Sequence, residues 1–260
     1  MYSTPEEIRS AVDAYGTHIK EHNRRILESP LSPRYNSEEA GLENDGDSTY
    51  NRTRLGSLRS VCGDELERVA STPIEVLDHC DELAGLCDLD GCNGPRPPDT
   101  KEEVARQERP SADLERRLRE QCLPEVHDNI TASEELRVLA RHARGLSGPG
   151  LGGGLKSVYQ AMFWSGLPTS PADIRGPREL DNVMSCQWES AAGWEEPSGY
   201  EGYFYMVYCR VKTEDGEEAG PWWWRYAAMN PLDCCVFDTI PELLEWYAVY
   251  REGSIPDAMT

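Results

Sequence analysis

Histidine and cysteine side chains that could bind a metal lie close together in the first half of the chain. His79, Cys80, Cys87 and Cys92 supply imidazole and thiolate groups, the ligands that zinc prefers in proteins. Their spacing differs from the common zinc motifs, because no two cysteines are separated by two residues. His79 and Cys80 would also point in different directions on a helix. Ordinary helix packing is therefore the favoured interpretation of this group.

A glycine-rich segment is the second candidate for chemistry. Residues 148–153 fit the GxGxxG pattern of dinucleotide-binding loops, and Gly150 with Lys156 and Ser157 resembles a phosphate-binding loop. Both patterns need a preceding strand and backbone amides that surround a phosphate. Here a helix is expected before the glycines, and Pro149 lacks an amide donor. We therefore interpret the segment as a hinge.

Histidines and paired carboxylates are the remaining candidates for acid-base chemistry. The 5 histidines all precede residue 151, so the C-terminal part contains no Ser-His-Asp or Cys-His site of its own. Glu195 with Glu196, and Glu217 with Glu218, are adjacent carboxylates. Acidic loops contain such pairs without catalysis, so hydrolysis by paired carboxylates is not favoured.

Three successive tryptophans, Trp222, Trp223 and Trp224, precede Arg225. On a strand, Trp222 and Trp224 would lie on one face, whereas Trp223 and Arg225 would lie on the other. Tryptophan and arginine are the residue types that most often anchor a protein partner. Core packing is the other interpretation of the run, and it is weakest for Trp223. We take Trp222, Trp223, Trp224 and Arg225 as the candidate binding residues.

Composition and charge limit the class of protein. All 7 tryptophans and all 3 phenylalanines follow residue 155, which places the densest core at the C-terminal end. The formal net charge of −21 opposes binding to nucleic acid or to an anionic membrane. The N-terminus lacks the features of a secretion signal, so we expect a cytoplasmic or nuclear protein whose 9 cysteines are free thiols.

The periodicity of apolar residues predicts the domain organisation. Residues 1–146 form a helical, partly disordered N-terminal region that includes a helix over 5–28 and a capping box at Thr131 and Glu134. Residues 147–154 form the hinge, and a tail follows at 254–260. Residues 155–253 form an α+β domain, in which a C-terminal antiparallel sheet is flanked by helices.

Within that domain the period of the pattern distinguishes helices from strands. Apolar residues three and four apart predict a helix over 155–163, and alternation predicts strands over 183–188, 203–211, 222–228 and 234–237. The strand over 203–211 is apolar on both faces, as expected at the centre of a sheet. A closing helix begins with a capping box at Thr239 and Glu242.

Several segments of the chain resemble the SUKH superfamily, which includes fungal cell-wall-synthesis regulators and bacterial toxin-immunity proteins. The resemblance rests on LKSVYQAMFWSG, ELDNVMSCQW, GYFYMV and VFDTIPELLEWY, and AVDAYGTHI and ITASEELRVLARHA are similar to the helical extension of the fungal regulators. Two features differ: Ser165-Gly166 replaces the usual Asn-Gly, and WWWRY has no counterpart in the family. The resemblance implies a protein-binding module without catalytic residues.

The sequence therefore favours a non-catalytic intracellular protein that binds other proteins and needs no cofactor. A metal- or nucleotide-dependent enzyme is the alternative. Such an enzyme would use His79, Cys80 and Cys92, or the segment 148–157 with Lys156 and Ser157.

Overall fold

The computed structural model of the chain describes residues 2–28, 66, 68–70, 73–79, 82, 90–92, 100, 112–149, 160–168, 173–184, 187–199, 202–212, 220–230 and 233–250. The helices are α1 (Pro5–Glu28), α2 (Pro73–Asp78), α3 (112–121), α4 (Glu134–His142), α5 (Pro177–Asp181) and α6 (Ile240–Val249). The strands are β1 (Leu146–Pro149), β2 (Gln160–Trp164), β3 (Ile174–Arg175), β4 (Trp188–Gly199), β5 (Gly202–Val211), β6 (Trp223–Asn230) and β7 (Asp233–Phe237).

The chain forms two compact units, each built from separate stretches of sequence. The first unit contains residues 1–12, 96–145 and 162–245, and the second contains 13–95, 146–161 and 246–260. The predicted hinge over 147–154 is described only as far as Pro149, which ends strand β1. Ser147, within this strand, is buried. The division of the chain at 147–154 stays a prediction.

Helix α1 confirms the helix predicted over 5–28. It begins with a capping box, in which the Glu7 backbone N–H donates to Thr4 Oγ1 at 3.2 Å and the Thr4 N–H donates to Glu7 Oε2 at 2.7 Å. Its apolar stripe is buried, as Ile8, Val12 and Ile19 show. In the described part of the chain, none of the helices has the length and apolar character that crossing a membrane requires.

Strands β3 to β7 form a five-stranded antiparallel sheet in the first unit. Each strand lies beside the next one in the chain, in the order β3-β4-β5-β6-β7. The strands predicted over 203–211, 222–228 and 234–237 correspond to β5, β6 and β7. With the helices of this unit, the sheet confirms the predicted α+β class.

Both faces of this sheet are packed. On one face, Met206 lies between Trp194 of β4 and Tyr226 of β6, and all three side chains are buried. On the other face, Val207 belongs to a buried cluster that includes Leu180 of α5. Packing on both faces explains why the sequence of β5 is apolar at nearly every position.

The closing helix α6 begins with the capping box that the sequence predicts. The Glu242 N–H donates to Thr239 Oγ1 at 3.3 Å, and the Thr239 N–H donates to Glu242 Oε2 at 3.2 Å. The capping box predicted at Thr131 and Glu134 is wrong, because α4 has Ser133 as its N-cap. The Ser133 hydroxyl makes no capping bond and instead contacts the Tyr226 hydroxyl at 3.1 Å.

The helix predicted over 155–163 is wrong at its C-terminal end, where strand β2 begins at Gln160. Residues 155–159 lie outside the described part of the chain. Two consecutive side chains of β2, Phe163 and Trp164, are apolar and buried, as expected for a strand that is covered on both faces. A short apolar run of this kind has the spacing of a buried helix as well as that of a buried strand.

The strand predicted over 183–188 is also wrong. Val183 and Met184 close the turn after α5, since both backbone N–H groups donate to Leu180 O. Strand β4 begins at Trp188 and continues to Gly199 through a sequence rich in small and acidic residues. Such residues have low strand propensity, so the sequence gives little sign of β4, which pairs with β3 and β5.

We predict that Gly193→Ala destabilises the first unit by about 1–3 kcal/mol, because overpacking a core forces the backbone to move. A methyl group at Gly193 would lie 2.2 Å from Met206 O and 3.1 Å from Val207 Cα, both backbone atoms of β5. Gly220→Ala is the matched control, since nothing lies within 4 Å of the added methyl group. Urea unfolding measures both variants, and equal midpoints would contradict the packing of β4 against β5.

Candidate functional site

Of the predicted binding residues, Trp224 belongs to the protein core. Its side chain is 2% exposed, and its Nε1–H donates to Thr131 O at 2.7 Å. Its ring packs against those of Trp194 and Tyr208, with centroid distances of 5.3 and 5.5 Å. Core packing therefore accounts for this tryptophan.

Arg225 is engaged in contacts within the first unit. Its Nε donates to Asp238 Oδ1 at 2.8 Å, and its Nη1 donates to Cys209 O at 2.9 Å. The guanidinium carbon lies 4.6 Å from the centre of the Trp188 ring, within the range of a cation–π contact. These contacts give Arg225 a structural role that joins β5, β6 and the start of α6.

Trp222 and Trp223 are only partly buried, and other aromatic rings contact them. Trp222 stacks on Tyr208 at 6.0 Å, with the guanidinium of Arg210 4.3 Å from its ring centre. Trp223 stacks on Tyr2 at 4.1 Å and an interplanar angle of 17°. We call Tyr2, Tyr208, Trp222 and Trp223 the aromatic surface. Tyr2 is 42% exposed, so this surface reaches solvent.

The segment that carries Tyr2 is fixed by a buried carboxylate of α4. Glu135 is 1% exposed, and its Oε1 accepts the backbone N–H of Ser3. Its Oε2 accepts the Tyr226 hydroxyl at 2.9 Å and the Ile240 N–H at 3.0 Å. Burial raises the pKa of Tyr226 well above its ordinary value, and the nearby Glu135 adds to this, so the phenol stays a donor.

Of the residues named for the alternative enzyme, the structure describes His79 and Cys92. His79 Nδ1 contacts Glu82 Oε2 at 3.3 Å, and the Cys92 N–H donates to Asp90 at 3.0 Å. Cys80, Lys156 and Ser157 lie outside the described residues. Within the described ranges, no group of three or more histidine, cysteine or acidic side chains is placed to hold a metal ion.

A cleft of about 300 Å³ lies beside the edge of the five-stranded sheet. It is lined by residues that follow β2, residues of the β3 region and residues of β4, namely Ser165, Gly166, Pro168, Asp173, Arg175, Trp194, Glu195 and Glu196. We call it the carboxylate cleft. Its described cation, Arg175, lies 3.6 Å from Glu195 Oε2, so three carboxylates share the cleft with one guanidinium.

Glu196 is the most deeply buried of these carboxylates, at 2% exposure. Its Oε1 accepts the Trp194 Nε1–H at 2.7 Å, and its Oε2 accepts the backbone N–H and the hydroxyl of Ser165, each at 3.2 Å. Burial raises the pKa of Glu196 from 4.5 to about 7, despite the lowering effect of these hydrogen bonds. The negative charge of Asp173 raises the pKa further.

Near neutral pH, the carboxylate cleft therefore contains a group that is able both to take up and to release a proton. Buried carboxyl groups with raised pKa values are typical of sites where proton transfer or proton-controlled binding occurs. The cleft also contains a hydroxyl group, an ion pair and an indole ring within reach of Glu196. This arrangement can hold a proton on Glu196 near neutral pH.

The sequence shows Glu195 and Glu196 as a carboxylate pair but does not show that the two side chains differ in burial. The two residues lie on opposite faces of β4, where Glu196 pairs with Phe204 and Glu195 with Tyr205. The alternation of Trp194 and Glu196 is the signal that would have found the buried carboxylate. That signal is readable only once β4 is recognised as a strand, and the small and acidic residues of β4 give little sign of one.

Comparison with known proteins identifies no relative. The chain matches no protein-family model, no curated protein and no solved structure. The functional argument consequently rests on the residues of this chain.

We predict that Trp224→Phe costs about 2–3 kcal/mol of stability, because it leaves a small cavity and removes the donor to a backbone carbonyl. Trp222→Phe is the matched control, and we expect it to cost less than about 1 kcal/mol because the ring is partly exposed. Urea unfolding compares the two variants. Equal losses would contradict the assignment of Trp224 to the core and Trp222 to the surface.

We also predict a stability contribution from Glu196 that depends on pH. Its folded pKa of about 7 lies above the ordinary 4.5, so the folded chain holds a proton that the unfolded chain releases in this window. The contribution to the free energy of unfolding is fully present below pH 4.5 and is lost as the pH rises through 7. The total loss is about 3 kcal/mol.

Thermal or urea unfolding across this pH range measures the effect. We expect Glu196→Gln to flatten the pH dependence, because the amide does not titrate. Glu195→Gln, at the neighbouring and more exposed position, is the control that retains the wild-type slope. An unchanged slope in a folded Glu196→Gln variant would contradict the raised pKa.

Proposed function

We propose that the chain is a non-catalytic protein-interaction module that binds a segment of a partner protein at the aromatic surface. The observation that carries this proposal is the stacking of Tyr2 on Trp223, since it shows a ring from a distant segment accommodated there. Trp223 is partly buried, and its indole N–H has no hydrogen-bond partner among the described residues. Tryptophan and tyrosine in such positions are the usual anchors of protein interfaces.

The contacts of residues 2–4 define the chemistry that a partner segment would need. Tyr2 supplies an aromatic ring to Trp223, and the next residue, Ser3, supplies a backbone N–H to Glu135. A partner segment with an aromatic residue followed by a free backbone N–H would reproduce both contacts. Such a segment would bind in place of residues 2–4 and keep the buried carboxylate of Glu135 hydrogen-bonded.

Displacement of residues 2–4 is energetically accessible. An aromatic stack contributes about 0.5–1.5 kcal/mol, and a hydrogen bond to a charged group about 1.5–3 kcal/mol. A partner that replaces both contacts recovers these terms, and its further contacts with Trp222 and Tyr208 add affinity. The segment 2–4 therefore acts as a weak intramolecular competitor of the partner.

The resemblance to the SUKH superfamily supports a binding role, because it implies a module that binds proteins without catalysis. One of its segments, LKSVYQAMFWSG, ends in strand β2, so the resemblance rests on the remaining segments. A regulatory, SUKH-like role in the cytoplasm is part of this proposal.

We predict that substitution of the two tryptophans and substitution of Tyr2 change the affinity for a partner in opposite directions. The double variant Trp222→Ala, Trp223→Ala should raise the Kd at least about 30-fold. This factor corresponds to the loss of about 2 kcal/mol of binding free energy at an interface anchor. Tyr2→Ala should lower the Kd by about 2- to 10-fold, because it removes the ring that stacks on Trp223 in competition with the partner.

Partners are recovered with the wild-type chain and then titrated as purified proteins against each variant. Tyr203→Ala is the control, because Tyr203 is 52% exposed at a different position of the sheet. An unchanged Kd for the folded double tryptophan variant would refute binding at the aromatic surface. A weaker Kd for Tyr2→Ala would show instead that Tyr2 belongs to the binding surface and is not a competitor.

A further inference from the structure

An exposed serine hydroxyl contacts a buried carboxylate at the carboxylate cleft. Ser165 follows β2 and is exposed, and its Oγ donates to Glu196 Oε2 at 3.2 Å. Glu196 of β4 is only 2% exposed. A serine within hydrogen-bond distance of a base has the geometry that activates its oxygen for attack on an electrophile. The pair therefore combines an accessible nucleophile with a base that is shielded from solvent.

The protein holds Glu196 so that one of its oxygens faces Ser165. Its Oε1 accepts the Trp194 Nε1–H at 2.7 Å, and its Oε2 also accepts the Ser165 backbone N–H at 3.2 Å. Trp194 is 1% exposed and packs against Trp224, so its indole is fixed in the core. The hydroxyl and the oxygen that would take its proton thus stay together. A base that a third group orients in this way is typical of nucleophilic sites.

The surroundings of Glu196 give it the proton affinity of a general base. Burial, and to a smaller extent the negative charge of Asp173, raise its pKa to about 7. Arg175, the described cation of the cleft, pairs with Glu195 at 3.6 Å. Phe204 lies opposite Glu196 on β5 and carries no charge. A general base is most effective when its pKa lies near the working pH, so Glu196 suits proton removal in neutral solution.

The size, charge and backbone of the carboxylate cleft indicate which electrophile would reach Ser165. The cleft has a volume of about 300 Å³, enough for a small acyl group. Asp173 and Glu195 also line it, so an anionic acyl donor would be repelled. Gly166 lines the cleft directly after Ser165, and the backbone N–H after a nucleophile commonly stabilises the oxyanion of acyl transfer. The cleft therefore fits the activated ester of a small, uncharged carboxylic acid.

We propose that Ser165 is a modification site, where its hydroxyl accepts an acyl group from such an ester with Glu196 as the general base. Glu196 takes the hydroxyl proton while Ser165 Oγ forms a bond to the carbonyl carbon. The bond between this carbon and the oxygen of the leaving alcohol then breaks, and the leaving alcohol takes up the proton. The chain is itself the acceptor in this reaction. None of the residues of the aromatic surface takes part, so this proposal and the proposed binding function are tested separately.

Acetylation of the full-length chain by p-nitrophenyl acetate tests this proposal, and peptide mass spectrometry measures the rate at Ser165. We expect this rate to be at least about 100-fold higher in the wild type than in Glu196→Gln, because a general base typically contributes about 100- to 10,000-fold. In Ser165→Ala, which retains the backbone N–H to Glu196, the early release of p-nitrophenolate should fall to that of the buffer. Equal acetylation of Ser165 in the wild type and in a folded Glu196→Gln variant would overturn the proposal.

The pH dependence distinguishes a general base from a carboxylate that only holds Ser165 in place. The rate of acetylation at Ser165 should rise with a midpoint near pH 7 and become constant above it, because only the ionised carboxylate accepts the proton. Glu195→Gln, on the opposite face of β4, is the control that should retain both the rate and the midpoint. A rate that increases in proportion to the hydroxide concentration, without a plateau, would overturn the role of Glu196.

Discussion

The buried carboxylate of Glu135 holds together parts of the first unit that are distant in the chain. It accepts hydrogen bonds from Ser3, from Tyr226 of β6 and from Ile240 at the start of α6. A buried charge of this kind is tolerated only when its oxygens are well hydrogen-bonded, and removal of a partner leaves a costly unsatisfied group. The hydrogen bond of Ser3 to Glu135 places the neighbouring Tyr2 on Trp223. The aromatic surface therefore depends on the hydrogen bond between Ser3 and the buried Glu135.

The covered sheet determines which tryptophans of the run 222–224 stay partly exposed. Trp224 packs inside with Trp194, while Trp222 and Trp223 lie at the start of β6, where the sheet is less covered. Among the described residues of the first unit, two buried carboxylates, Glu135 of α4 and Glu196 of β4, have different surroundings. Glu135 receives donors from segments far apart in the chain, whereas Glu196 receives them from its own strand and from the turn after β2. The aromatic surface and the carboxylate cleft accordingly lie in separate parts of one unit.

Much of the fold was predictable where local signals were strong. Helix α1 follows from its apolar stripe, α6 from its capping box, and β5 to β7 from runs of aromatic and branched residues. The sequence does not predict strand β4, because its small and acidic residues pair with neighbouring strands without a local strand preference. The sequence of β2 predicts a helix instead of a strand, because a short buried run fits both periods. The candidate site was found in part: Trp222 and Trp223 were selected, but Tyr2 and Glu135 were not, since pairing across such distances has no trace in a single sequence.

The contact between Ser3 and Glu135 spans 132 residues, and the stacking of Tyr2 on Trp223 spans more. Residues 2–4 are synthesised long before their partners in β6. Strands β3 to β7, each beside its neighbour in the chain, can assemble as they emerge, whereas residues 2–4 meet their partners only once β6 is in place. The attachment of residues 2–4 is thus a late step of folding, and until then Trp223 lacks the ring of Tyr2.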